Sequence, residues 1–217
     1  MEIQVLTVGM IRTNCYLVQD GEGSFLVDPG DQAEELLAYF KKQEVSPGTI
    51  LITHGHFDHV GAVPELAEAL QAEVVFPEKE IAYLDERSYS LMSETASALD
   101  RFKSFLTQYE KTRLVSDGDS LTLCGAEVRC LEVPGHTDHS MAYYIPSESV
   151  VFSGDTLFAR SVGRSDMYSG DPGDLVRNIR EKLLTLPKET YVLPGHGGVT
   201  TIGREAEVNP YLRAKYE

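Results

Sequence analysis

The sequence predicts a mixed α/β protein, two β-sheets packed face to face with helices outside, a four-layer αββα sandwich. Two observations lead there. Short β-branched and apolar runs recur along the 217 residues, separated by turns rich in Gly, Pro, Asn and Asp. The order strands, helix, strand occurs in the first half and again in the second. No sequence repeat and no linker marks a boundary, so a single domain over 1–217 is expected.

The elements follow in order. Ile3 to Val8 alternates loosely and reads as a strand. Asn14 to Val18 and Ser24 to Asp28 flank Asp20-Gly21-Glu22-Gly23, a strong hairpin signal. Ala33, Leu36, Leu37 and Phe40 recur at i, i+3, i+4, i+7 and predict an amphipathic helix ending near Ser46-Pro47-Gly48. Thr49 to Ile52 is a short buried strand. Gly61 to Leu70 reads as a helix, with Pro64 tolerable only in its first turn. Val74 to Phe76 is another strand. Residues 78–110 carry mixed helical periodicity through Ile81, Leu84, Leu91, Leu99, Phe102, Phe105 and Leu106. They are expected as two helices or a helical insertion, in the outer layer rather than as a cap over a site. Ser120 to Leu123 and Glu127 to Val133 form a hairpin around Cys124-Gly125-Ala126, and Met141 to Ile145 pairs with Ser149 to Phe152. Leu175, Val176, Ile179, Leu183 and Leu184 share a helical face, and Thr190 to Leu193 is the last strand.

Composition excludes several functions. The net charge of -15 argues against binding a phosphate backbone or an anionic membrane surface. Cys15, Cys124 and Cys130 are odd in number and form no C-x-x-C, which fits a reducing compartment. The start Met1-Glu2-Ile3-Gln4 lacks basic character and no apolar run approaches 18 residues, so a cytoplasmic protein without a membrane span is expected.

The chemistry concentrates at Thr53-His54-Gly55-His56-Phe57-Asp58-His59, where four candidate metal donors fall within six positions. On a helix His54 and His56 would point about 200° apart, because each residue turns about 100°. On extended backbone they share a side. The run is therefore expected as a loop at a strand end. Further candidates follow later strands: His136 in Pro134-Gly135-His136-Thr137, Asp155 in Ser153-Gly154-Asp155-Thr156, and His196 in Pro194-Gly195-His196-Gly197. Five of the six histidines thus stand at strand ends, a coincidence that scattered surface histidines would not produce. Asp28, in Asp28-Pro29-Gly30, either closes a turn or orients a ligand histidine through its second ring nitrogen.

These motifs resemble the metallo-β-lactamase superfamily over about Asn14 to Leu212. The resemblance implies the αββα fold and a centre of two divalent ions. His54, His56 and His136 would hold one ion, Asp58, His59 and His196 the other, and Asp155 would bridge them. Nitrogen and oxygen donors suit zinc first, with iron or manganese also compatible. Ser153-Gly154-Asp155-Thr156-Leu157-Phe158, Gly163-Arg164-Ser165-Asp166 and Asn209-Pro210-Tyr211-Leu212-Arg213 look most like the glyoxalase II branch in its short, single-domain form. That branch implies hydrolysis of 2-hydroxyacyl thioesters such as S-lactoylglutathione, with Asp58 and Asp155 acting as ligands and a metal-bridging hydroxide as nucleophile. Arg164 would bind a substrate carboxylate, assisted by Tyr168 and Arg213, unless it merely pairs with Asp166 or Asp171.

Two departures stand out. His139 takes the place of a usual glycine and reads as a surface or supporting residue. The short form also lacks the helical carboxy-terminal region that grips glutathione, which leaves the thiol half of the substrate open. The alternative activity on the same scaffold is an iron-dependent persulfide dioxygenase. Phosphodiester cleavage fits the charge poorly. A structural zinc module would have a closed four-ligand site, often rich in cysteine. A small-molecule thioester is the expected partner, and the oligomeric state is left unassigned.

Overall fold

A computed structural model describes residues 1–87 and 93–213. The first sheet contains six strands in chain order: β1 (Glu2–Val8), β2 (Thr13–Gln19), β3 (Ser24–Val27), β4 (Thr49–Leu51), β5 (Glu73–Pro77) and β6 (Thr112–Val115). The first three pair antiparallel, and β3 to β6 pair parallel through helical crossovers. Those crossovers contain α1 (Ala33–Gln43), α2 (Phe57–Val60), α3 (Val63–Leu70), α4 (Glu80–Arg87) and α5 (Ser93–Gln108). The second sheet is built from β7 (Ser120–Leu123), β8 (Ala126–Glu132), β9 (Met141–Ile145) and β10 (Val150–Gly154). A small hairpin, β11 (Leu157–Phe158) and β12 (Ser161–Val162), precedes α6 (Pro172–Asn178). The sheet is completed by β13 (Tyr191–Pro194) and β14 (Thr200–Thr201), and α7 (Ile202–Val208) and α8 (Pro210–Arg213) follow.

The four layers can be read from β2. Cys15 and Leu17 join one apolar cluster with Phe40, Leu66 and Phe102 on the helices, whereas Tyr16 and Val18 join another between the sheets. Side chains alternate across a strand, so burial on both sides produces the near-continuous apolar run of β2. The inter-sheet cluster gathers Phe25, Val27 and Leu51 from one sheet and Val128, Tyr143 and Phe152 from the other. Tyr16 and Phe25 meet the Phe152 ring edge-on, with centroids 5.3 and 6.4 Å apart. A third cluster seats α6 on the outer face of the second sheet through Leu175, Val176 and Val151. The αββα expectation is met.

Several local readings change. The segment 78–110 does form two helices, with Phe102 against Phe76 at 5.5 Å; Leu91 lies outside the described residues. The helix expected from Gly61 begins at Val63, with Pro64 in its first turn. The helix around Leu175 gives way after Asn178 to a wider π-helical turn, Ile179–Leu183. β6 was not anticipated because it is an edge strand in which Leu114 is exposed and Val115 buried, so no apolar alternation marks it. β11, β12 and β14 have two residues each, too few to show a period. Among the described residues, no helix is long and apolar enough to cross a membrane.

Candidate metal centre

The strand ends converge on one rim of the sandwich. After β4 the chain runs extended to His56 (φ -70°, ψ 145°) and then turns into α2. The ligand run is therefore a loop only as far as His56. Asp58 and His59 stand on a single helical turn, a correction to the all-loop expectation. That turn sets Asp58 beside His59 and His196, while the His59 ring stays 4.1 Å from that of His54, so that His54, His59 and Asp155 form a further donor set linking the other two. Backbone bonds join the sheets at this rim: Met141 N–H donates to Thr53 C=O at 2.8 Å, and Asn14 N–H to Gly195 C=O at 2.7 Å.

In the first group, His54 Nε2 lies 2.9 Å from His56 Nδ1, and His136 Nε2 lies 2.9 Å from His56 Nδ1 and 3.2 Å from His54 Nε2. In the second, Asp58 Oδ2 lies 3.3 Å from both His59 Nε2 and His196 Nε2. Asp155 stands between them, with Oδ1 3.5 Å from His59 Nε2 and Oδ2 3.5 Å from His196 Nε2 and 3.7 Å from His136 Nε2. The structure thus brings all seven candidates together, in groups compatible with holding metal.

Neighbours aim the rings. Thr53 Oγ1 donates to Asp28 Oδ2 at 2.7 Å and receives His54 Nδ1–H at 2.9 Å. His59 Nδ1–H donates to Asp28 Oδ2 at 2.9 Å, and His136 Nδ1–H to Arg164 C=O at 2.7 Å. In each case the Nε2 lone pair is left facing the centre. Asp28, in left-handed backbone (φ 51°), therefore orients a histidine as well as tying down Thr53 N–H at 2.8 Å. His59 Nε2 and Asp155 Oδ1 are buried without a hydrogen-bond partner. A buried polar atom left so costs about 1–3 kcal/mol. Unpartnered lone pairs and carboxylates converging from four strand ends fit divalent ions well.

His56, Asp58, His136, Asp155 and His196 floor a cavity of about 550 Å³. Ile11, Phe57, Leu99, Phe158 and Met167 form its apolar wall, and Arg164 also borders it.

Residues 8–196 match the sequence profile of the metallo-beta-lactamase superfamily. The chain belongs to that superfamily. It is 33% identical over 217 residues to the hydroxyacylglutathione hydrolase GloC of Haemophilus influenzae, covering 99% of this chain and 100% of that one. Among solved structures it resembles the BLEG-1 B3 metallo-beta-lactamase (TM-score 0.83, 34% identity, 98% of this chain and 100% of that one). It also resembles TTHA1623 in a di-iron-bound form (TM-score 0.80, 39% identity, 96% and 100% covered).

Within this superfamily scaffold the charges divide sharply between the two donor groups. Burial, reinforced by neighbouring histidines, holds His54 and His56 well below the usual imidazole range. Burial likewise lowers His136, against the pull of Asp155. Burial opposes charge on His59 too, but Asp58, Asp155 and Asp28 outweigh it and raise His59 well above its ordinary value. His196 is raised in the same way: burial opposes its charge, and Asp58 and Asp155 outweigh that. Burial pushes Asp58 up, yet His59, His196 and Thr13 together bring it far below the carboxylate range.

Asp58 and Asp155 favour the protonated forms of His59 and His196, so an ion must compete with protons at that group. Metal loading at neutral pH is expected to release protons. Affinity at the Asp58, His59 and His196 group is expected to fall first as pH drops from 8, already above the ordinary histidine value of about 6.5, while the His54, His56 and His136 group keeps its affinity to lower pH. Titrations between pH 8 and pH 5 check this, and a flat affinity would contradict it.

The remaining sequence candidates separate. Arg164 borders the cavity while its side chain, 71% exposed, bonds Asp166 at 3.0 Å, so the surface pair and the rim position coexist. Tyr168 packs near Tyr83, with ring centroids at 6.2 Å, and Arg213 is exposed on α8; neither borders the cavity. His139 belongs to neither donor group, and its ring bonds Glu132 at 2.8 Å. Residues not anticipated are Thr13, whose hydroxyl donates to Asp58 Oδ2 at 2.7 Å, and Glu80. Thr13 had no distinct sequence signal, since Asn14 and Gln19 in the same strand are polar as well. Asn14, read only as a strand residue, ties β2 to the His196 loop through Pro194 C=O (3.0 Å) and Gly197 C=O (2.9 Å).

Proposed function

We propose that this chain is a metal-dependent hydrolase of the glyoxalase II-like branch, a single domain over 1–217 that cleaves 2-hydroxyacyl thioesters such as S-lactoylglutathione. The observation that carries the reading is Asp155 standing between two donor groups on the floor of a cavity large enough for such a substrate. The likeness to GloC supports the substrate class. The donor set fits two divalent ions, zinc first and iron or manganese next.

When bound, two such ions supply a water acidic enough to be deprotonated near neutral pH and a Lewis acid for the carbonyl. The chain's own residues do the rest. His54, His56 and His136 would hold one ion and Asp58, His59 and His196 the other, with Asp155 placed between the two groups. Thr13 fixes the Asp58 carboxylate, and Asp28 fixes the His59 ring. The apolar wall from Ile11 to Met167 excludes water from the bound thioester. The leaving thiolate has a conjugate pKa near about 8.5 and departs without a proton donor, so no general acid is needed. Arg164, on the rim, binds a substrate carboxylate in exchange for its exposed, solvent-screened pairing with Asp166. Tyr168 and Arg213, which do not border the cavity, are given no contact with the substrate. The substrate is a small molecule of the cytoplasm.

A panel of thioesters, with and without carboxylates, assayed on metal-replete parent and Arg164→Ala tests both assignments. Turnover of S-lactoylglutathione abolished by chelation is expected. Arg164→Ala is expected to raise KM several-fold for carboxylate-bearing thioesters only. Equal effects on neutral and charged substrates would remove Arg164 from binding. Oxygen uptake on a persulfide with no thioester turnover would overturn the hydrolase reading in favour of dioxygenase chemistry.

A further inference from the structure

Beneath the first donor group lies a carboxylate for which the chemistry above has no use. Glu80 opens α4 and is fully buried. Its Oε2 accepts Gly55 N–H at 3.0 Å, from the residue between His54 and His56. Its Oε1 accepts the Thr137 hydroxyl, next in chain to His136, and His139 N–H at 3.3 Å. The two loops it joins come from different sheets: one follows β4, the other connects β8 to β9. They carry the three nitrogens of one donor group. The contact with the Gly55 loop is close. A Cβ at Gly55 would lie 2.9 Å from Leu84 Cδ2, 3.1 Å from Tyr83 Cδ1 and 3.2 Å from Glu80 Oε2. Tyr83, one turn along α4, meets the His56 ring edge-on at 5.5 Å.

We propose that Glu80 is the positioning residue of the His54, His56 and His136 group, clamping the two loops so that their three nitrogens face a single ion. This rests on reading those histidines as one ion's ligands. The chemistry of the clamp is specific. Burial raises Glu80 to about 7, while its two oxygens accept from three converging donors, Gly55 N–H, the Thr137 hydroxyl and His139 N–H. A glutamine in its place would turn an NH₂ toward either Gly55 N–H or His139 N–H, whichever way it lay. Aspartate is one methylene shorter and would not span both loops. The clamp also accommodates the unusual His139, because only its backbone N–H faces Glu80 while its ring turns to Glu132. Asp58, His59 and His196 make no contact with Glu80 among the hydrogen bonds of the described residues, so the effect is confined to one ion.

The test is chelator competition on zinc-loaded protein, following release of the two ions, for parent, Glu80→Gln, Thr137→Val and Thr137→Ser. Partners of this kind typically affect metal affinity by about 10–100-fold. Glu80→Gln is expected to weaken one ion by about that factor and leave the other at parent affinity. Thr137→Val, which removes one donor, is expected to weaken the same ion, and Thr137→Ser, which keeps the hydroxyl, to restore it. Parent affinity at both ions with only a lowered melting temperature, or equal weakening of both, would overturn the proposal. If Glu80→Gln does not fold, the two Thr137 variants decide it alone. Thioester turnover plays no part in the readout. A parent that binds two ions but cleaves no thioester therefore refutes the proposed function and leaves this test intact.

Discussion

Replacing Asp155 by alanine is expected to empty both donor groups of metal under limiting conditions and to lower thioester turnover by on the order of 10³-fold or more. Among the described residues, Asp155 is the one carboxylate placed within 3.7 Å of ring nitrogens from both groups, through His59 and His196 on one side and His136 on the other. Burial opposes its charge, and His59 and His136 more than compensate, so it stays ionised. Alanine removes a donor from each ion and the charge that helps offset two dications. Asp155→Asn keeps the shape and loses the charge, and is expected to fall between parent and alanine in metal affinity. Elemental analysis with steady-state kinetics checks both. Two retained ions and parent turnover in Asp155→Ala would show that it bridges nothing.

Gly30→Ala should be nearly as damaging without touching a donor. The Asp28-Pro29-Gly30 turn lies directly against α2: a Cβ on Gly30 would sit 1.4 Å from the Asp58 carbonyl oxygen and 2.3 Å from its carbon. Backbone cannot yield as a flexible side chain does, so the turn and the ligand-bearing helix must part. Ala62 N–H donates to Pro29 C=O at 3.1 Å in the same contact and would be strained with it. Overpacking of this severity costs about 3 kcal/mol or more. The ion held by Asp58, His59 and His196 is expected to be lost first. Denaturant unfolding at constant m-value, with metal analysis alongside, measures both. Parent stability and full metal content would contradict the packing argument.

These effects explain what could be read in the sequence. His54, His56, His136, Asp155 and His196 each follow a β-forming run, beside a glycine in the chain, and that pattern survives translation into letters. The two-sheet layout was legible for the same reason, since β2 and β10 carry strong apolar runs and β8 alternates apolar with charged residues. The helical turn at Asp58 and His59 was not, because four residues show no periodicity. Glu80 was missed because a glutamate opening an amphipathic helix normally faces water. What buries it is the pair of loops folded over it, one of them 57 residues further on. Leu99 was read as outer-layer packing and does pack there, yet it also borders the cavity, a double role that only the approach of α5 to α2 creates.

That two ions share this centre is tested most directly by anomalous diffraction from crystals of metal-replete protein, with data collected at the absorption edge of the loaded metal. Two peaks are expected per chain, one among His54, His56 and His136 and the other among Asp58, His59 and His196, with the Asp155 carboxylate between them. A single peak at the first group, with His59 and His196 bound to no metal, would contradict the two-ion centre and the bridging role of Asp155 with it.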